Sequence, residues 1–513
     1  PPRVRRQRLM CIRDSGYRQR PLRERLAEFF ERDMPISADG MPLAGLVRAM
    51  GPQERELRDR VTGAVLPSSE ENAETVVVVQ LFYPFGETPP TRLLLKAPSQ
   101  FGTANVGFVA YHNTVAVNDF RYLAGVMPLD LDWEDPWYSS FPMRNMQRSY
   151  SAPMSGFLYI EHFEIRKEII VRPKDMQRWV DLGLEGAQVI LAEQRGAVLE
   201  KIAQFLTQHH PVTIDGEAAE PILDRANFLS RTLRSSMVVE PGIDISIDSA
   251  VVGVIFVYPT NGLPQNATMT WDLFDERVQR VPASSVDEAG PLPTFLEPDY
   301  PALEWQNFLK NPSDPGLITL PQPPSQVQVL LYQARWWALG AAMALLMVWG
   351  RRRSTPVGIV AALALVVVAA SFVLGRTLAP PGEATQQVVS DLLRNVYKAF
   401  DYREESDIYD TLERSVSGDL LTRIYLETQN SLELANQGGA RAKVKSIDMQ
   451  SLDILPGSGE GFRAVATWNV NGSVGHWGHV HQRVNQYEAE LQIAATDGRW
   501  KLTGMKVLGE QRL

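Results

Sequence analysis

Only one cysteine, Cys11, occurs in 513 residues, so no internal disulfide can form. A small disulfide-stapled fold is thereby excluded. Histidine is scarce too, at seven residues, which limits where imidazole chemistry can sit. There is no Gly-x-Ser-x-Gly elbow, no phosphate-binding loop and no His-Glu-x-x-His helix. Gly457-x-Gly-x-Gly461 is spaced as a turn, not as a dinucleotide-binding loop after a strand. No basic stripe with interleaved aromatics is present, and the net charge is −9, so a nucleic-acid surface is not expected. The chain does have enough apolar material for packed domains, at 44% hydrophobic and 9% aromatic. Its length sets a prior of about three to four domains.

Two long apolar runs interrupt the chain. Val357–Gly375 has no charged residue over 19 positions, close to the roughly 20 apolar residues that a helix needs to cross a bilayer. Val327–Gly350 has one charge, Arg335. Hydropathy therefore predicts a two-helix transmembrane hairpin, 327–350 and 357–375, joined by a turn over 351–356. Arg351, Arg352 and Arg353 place that turn in the cytoplasm by the positive-inside bias. Both flanking regions would then be extracytoplasmic, on a bacterial inner membrane. Arg335 and Arg376 would snorkel at the outer ends, with Tyr332, Trp336, Trp337 and Trp349 at the interfaces.

Before these runs the sequence repeats itself. Leu22–Phe30 matches Val198–Leu206 in pattern, at an offset of 176. Pro35 and Pro211, and Asp39-Gly40 and Asp215-Gly216, keep the same offset. Val77–Pro84 resembles Val252–Pro259 at 175, and Trp137 with Trp305 is the last landmark, at 168. Such spacing predicts a duplicated unit. Each unit reads as a short amphipathic helix, a turn at Asp-Gly, then β-branched strands broken by proline. Two antiparallel, sandwich-like modules are expected, 17–145 and 146–310. The strand pair within 156–171 has no counterpart in the first unit. Met10–Ser15 resembles a translated sequencing adaptor. Residues 1–16 are therefore expected to be non-native, with any export signal upstream. Residues 311–326, rich in proline, read as a linker.

The C-terminal stretch 384–513 starts with a helical stripe: Val388, Val389, Leu392, Leu393, Val396, Tyr397 and Phe400. Two shorter helices are expected over 407–415 and around Leu420–Tyr425. Five strands follow: 442–454, 462–470, 474–483, 487–494 and 500–507. Turns are expected at Gly457–Gly461, Asn471-Gly472 and Asp497-Gly498. Three helices followed by a curved antiparallel sheet resemble the NTF2-like cone fold, including the domain of Tim44-like proteins. The likeness rests on element order and implies an α+β domain with a cavity. Members of that fold include enzymes and pure binding modules.

Candidate chemistry is sparse. His479 and His481 share a strand face and, with Arg483, could line a cavity or begin a metal site. His476 is expected on the other face. A metal needs further ligands, with Glu488 and Glu490 within reach on the next strand. Asp130–Asp135 concentrates carboxylates but lacks the glycine and terminal glutamate of a calcium loop. His209 and His210, read as strand neighbours, would point apart. The chain resembles bacterial membrane-anchored envelope proteins. The sequence thus reads as a multidomain membrane protein: two β modules, a hairpin and an α+β NTF2-like domain. Its expected role is non-enzymatic binding or scaffolding in the cell envelope. Expected partners are the lipid bilayer and other envelope proteins or a second copy, with no nucleic acid and no cofactor. One alternative is a ligand sensor or enzyme using the C-terminal cavity, and another is an accessory subunit of a membrane transport complex.

Overall fold

The computed structural model describes residues 16–56, 74–98, 106–149, 151–231, 236–312, 316–323, 336–337, 339–341, 343–344, 346–348, 351, 359–360, 362–363, 365–369, 382–402, 405–427, 441–455, 461–476 and 479–513. Cys11 and the adaptor-like stretch lie outside them.

The first unit opens with helix α1 (Gly16–Asp33). Strands β1 (Ile36–Ala38) and β2 (Met41–Leu43) follow as a tight hairpin around Asp39-Gly40. Then come β3 (Leu46–Glu54), β4 (Thr75–Phe82), β5 (Arg92–Lys96) and β6 (Val126–Asp130). Four of these form a sheet in the order β6-β5-β1-β2, while β3 and β4 pair separately.

Two strands precede the second unit: β7 (Met154–Ile160) and β8 (Glu164–Val171). Helix α2 (Arg195–Thr207) leads into β9 (Val212–Ile214), β10 (Glu217–Ala219), β11 (Ile222–Arg231) and β12 (Ser236–Val238). The unit continues with β13 (Val251–Pro259), β14 (Asn266–Thr270), β15 (Val281–Asp287), β16 (Gly290–Leu296) and β17 (Ala302–Gln306). Its small sheet runs β17-β14-β9-β10, the order found in the first unit. The β3–β4 pairing also recurs as β11–β13, with a bulge at the same place: after Val47 in one and after Leu223 in the other.

The register alters one sequence landmark. Trp305 lies opposite Ala267, the place held by Leu129 opposite Leu93. Trp137 lies beyond β6, in the short helix Pro136–Tyr138. Trp305 and Trp137 are therefore not equivalent.

The larger sheet of the second unit runs β12-β11-β13-β8-β7-β15-β16. It is mixed, not purely antiparallel as expected, because β7 and β15 pair in parallel. The long connection between them, from Glu161 to Arg280, makes that direction possible. β7, β8 and most of β13 are buried on both faces. One face packs Ile165, Ile169, Val252, Val254 and Phe256 against the small sheet and α2. The other packs Phe157, Tyr159, Ile170, Ile255 and Val257 with Val115 and Trp137 of the first unit.

The C-terminal domain has helices α3 (Gly382–Lys398) and α4 (Glu405–Glu413), with 419–427 also helical. Its sheet has four strands, not five: β18 (Arg441–Leu455), β19 (Gly461–His476), β20 (His479–Thr496) and β21 (Arg499–Arg512). They pair in sequence order. The Asn471-Gly472 turn is not made. Gly472 sits inside the β19–β20 ladder opposite Arg483, and the reversal falls between His476 and His479. Extending the ladder satisfies more backbone groups than an early turn would. The stripe Val388, Val389, Leu392, Leu393 and Val396 covers Trp468, Leu491, Ile493 and Leu502. The 316–323 segment is tied to this domain, since Asn395 accepts from Ile318 N and donates to Ile318 O.

The transmembrane hairpin is not upheld. The protein is mainly β, and among the described residues no helix is long and apolar enough to cross a membrane. Hydropathy counts side chains. A span needs an unbroken apolar helix, because lipid offers its backbone no partner. Between 336 and 369 the described residues are 336–337, 339–341, 343–344, 346–348, 351, 359–360, 362–363 and 365–369, and all of them are helical. The remainder of both runs lies outside the described residues, as do Arg335, Arg352, Arg353 and Arg376. Arg351 is helical and exposed. The multidomain membrane architecture read from the sequence is therefore replaced by a mainly-β, multi-sheet one.

Candidate functional site

One polar cluster is built by the second unit alone. After α2 the chain must reverse into β9, and His210 takes a left-handed conformation to do so, with φ of 55°. A helix end of this kind usually carries glycine or asparagine. The histidine is held by stacking on Trp271, with ring centroids 3.8 Å apart and planes 19° apart. Asp272, just beyond β14, lies 3.0 Å from the Nδ1 atoms of both His209 and His210. The backbone N–H of His210 also donates to it. Lys167 reaches the cluster from β8, on the face shared with Ile165 and Ile169. Its Nζ donates to the carbonyls of His209 and His210 at 3.0 and 2.9 Å, and it lies 4.7 Å from the Phe256 ring centroid.

Burial decides the charge states. It pulls Lys167 down to about 7, with Asp272 opposing. It pulls His210 down to about 4, again against Asp272. Burial alone would raise Asp272, but His210 and His209 outweigh it and hold the carboxyl at about 2. The cluster can therefore gain or lose protons in the neutral and acid range. Lys167 and His210 are only 1% and 0% exposed, so they act on the turn itself and not on an approaching substrate. Sequence reasoning placed His209 and His210 on a strand pointing apart, whereas the structure puts both on one carboxylate. The available signal was a helical stripe ending in Thr-Gln-His-His-Pro.

The junction of the two units is also charged. Arg172, fully buried, donates to both oxygens of Asp135 and to Asp175. Its guanidinium lies 4.4 Å from the Trp137 ring centroid, with Arg148 at 3.9 Å from the same ring. Lys174 pairs with Asp248. Asp130 is held by Arg92, and Asp132 accepts from the backbone of Glu134 and Asp135. The carboxylates of 130–135 thus fold a turn and bind arginine. Among the described residues no group of three or more His, Cys, Asp or Glu is arranged to hold a metal.

The third feature is a contrast between equivalent strands. β13 is buried over eight residues, sandwiched between β11 and β8. β4 has the same apolar sequence type and the same partner geometry, but among the described residues it pairs with β3 alone. Val77, Val78 and Phe82 are 57%, 46% and 40% exposed, and Leu46 is exposed beside them.

In the C-terminal domain the backbone register sets His476 opposite His479, and Val474 opposite His481. Opposed positions share a sheet face. The positions of His476, His479 and His481 therefore fall on one side of the hairpin, against the expectation that His476 differs. Arg483 lies opposite Gly472. Glu488 and Glu490 are on the same strand, β20, seven or more residues from His481. The side chains of His479, His481 and Arg483 lie outside the described residues. Two clefts of about 250 and 270 Å³ open elsewhere in this domain. Arg423, Glu490 and Lys506 line the first, and Arg394, Lys398 and Asp448 the second.

No family model and no curated protein matches the chain. Among solved structures, the intermembrane-space region of the chloroplast protein ARC6 is similar over 25% of this chain and 97% of its own. The identity is 17% and the TM-score 0.19. A likeness at that score carries no functional meaning.

Proposed function

We propose that the chain is a non-enzymatic binding and scaffold protein whose β modules engage other polypeptides. The observation that carries this reading is the exposed β4 ladder. Apolar side chains of this kind are ordinarily covered, and a contiguous exposed strand of them marks an interaction surface. The polar clusters support it from the other side. Lys167, His210 and Arg172 are sealed inside the fold and engaged with backbone or carboxylate, as structural groups are. The C-terminal domain, read as NTF2-like, would serve as a further binding module on the same chain.

The test is a photo-crosslinking amino acid at Val78 of the full chain, in the cells that make it. Discrete adducts with another polypeptide are expected, while the same probe at Glu304 of β17 gives none. Recovery of uncross-linked monomer alone overturns the reading.

A further inference from the structure

The second unit shows what chemistry covers the β13 edge, and the shared register carries that chemistry back to the first. Val77, Val78 and Val79 correspond to Val252, Gly253 and Val254 at the offset of 175. Those three lie opposite Val171, Ile170 and Ile169 of β8. Further along, Phe256 and Ile255, the counterparts of Leu81 and Gln80, lie opposite Lys167 and Glu168. The edge of β13 therefore takes an antiparallel strand whose β-branched half meets the valines and whose charged half meets the end nearer Tyr258-Pro259.

We propose that the edge of β4 takes up one antiparallel β-strand from a partner polypeptide, with β-branched residues opposite Val77, Val78 and Val79. This rests on the scaffold reading and names the partner chemistry at its site. Three observations converge. β4 has eight residues to the nine of β13 and is likewise mostly apolar. It keeps the same bulged pairing with its inner neighbour. Val77, Val78 and Phe82 are exposed where the matching stretch of β13 is covered. Strand addition supplies a second partner to a backbone ladder that, among the described residues, is paired on the β3 side alone, and pockets beside alternate side chains supply selectivity. Valine at three successive positions suits this, because a strand covered on both faces and edges has no solvent side.

The probe is a labelled, end-capped peptide with the sequence of Glu164–Arg172, which carries the β8 pattern and enough charge to stay dissolved. Binding to the full chain should slow amide exchange over 76–82 at least tenfold. A scrambled peptide should bind at least tenfold more weakly. Val77→Asp with Val78→Asp should abolish binding, with circular dichroism unchanged because both side chains are exposed. Peptide binding without protection of 76–82 overturns the proposal, as does equal binding by the scrambled peptide or by the double variant. Concentration-dependent self-association that alone protects 76–82 also overturns it, making a second copy the occupant. The two readings separate cleanly. Adducts at position 78 without peptide binding leave the scaffold role and remove strand addition. Peptide binding without adducts does the reverse.

Discussion

Asp215 repeats, 176 residues later, the geometry of Asp39. Their φ angles are 50° and 48°, and each is followed by a glycine at φ near 85°. Asp39 accepts from the backbone of Thr91 and Arg92, and Asp215 from that of Gln265 and Asn266. Each also donates its own N–H across to the same strand, to Arg92 O and Asn266 O. In both units this turn sets the register of the small sheet.

The paired turns give the first prediction. Gly40 and Gly216 have open space where a Cβ would go, so alanine there meets only backbone strain. Left-handed residues other than glycine cost about 1–2 kcal/mol. Gly40→Ala and Gly216→Ala should each destabilise their own unit by about that much in urea unfolding. A neutral result at either site would show that the turn relaxes.

Arg172 gives the second. Removing the buried cation leaves Asp135 with Lys174 and Asp175 with Arg178 as their remaining cationic partners, and breaking a buried pair costs about 3–5 kcal/mol. Arg172→Met should lower stability by that order in chemical denaturation. Arg172→Lys should recover little, because an ammonium cannot form the forked contact to Asp135 while lying over Trp137.

Lys167 gives a pH dependence. Its folded value, about 7, lies below the ordinary 10.5. The unfolded chain therefore takes up the proton first as pH falls. Stability should rise with pH between about 7 and 10.5, with no contribution from this group below that window. In Lys167→Met the rise across that window should vanish from thermal melts recorded as a function of pH.

His210 acts lower on the scale. Its value is pulled from 6.5 to about 4, so the fold favours the neutral ring and loses stability as pH falls through that interval. The span corresponds to an effect on the order of 3 kcal/mol. His210→Asn keeps a residue tolerant of the left-handed conformation and removes the titration. It should flatten the stability curve between about pH 6.5 and 4. Asp272, held at about 2, should make its own loss only below 3.8 in the unsubstituted protein.

Much of the local structure could be read in advance. α1 and α2, the Asp-Gly turns, and the valine-rich β4 and β13 follow from periodicity and turn chemistry within short windows. The stripe of α3 and the end hairpin at Asp497-Gly498 were equally plain. The polar clusters were not. Lys167 meets His210 across 43 residues, and Arg172 meets Asp135 across 37. No local pattern marks a lysine on an apolar strand as the donor to a helix end. The reversal between His476 and His479 was missed because Asn471-Gly472 carried the stronger turn signal. The apolar runs after 327 misled for a different reason: hydropathy scores composition alone, and among the described residues no helix is long and apolar enough to cross a membrane.

Composition, periodicity and the 176-residue echo were enough to specify β-rich units with helix, turn and strand in a set order, because those preferences act between near neighbours. Which strands lie side by side, which charges are sealed together and which valines stay open were decided only in three dimensions. Those outcomes depend on contacts between segments dozens of residues apart, where burial and pairing outweigh any local preference. The same strand type is therefore interior in one unit and, among the described residues, an open edge in the other.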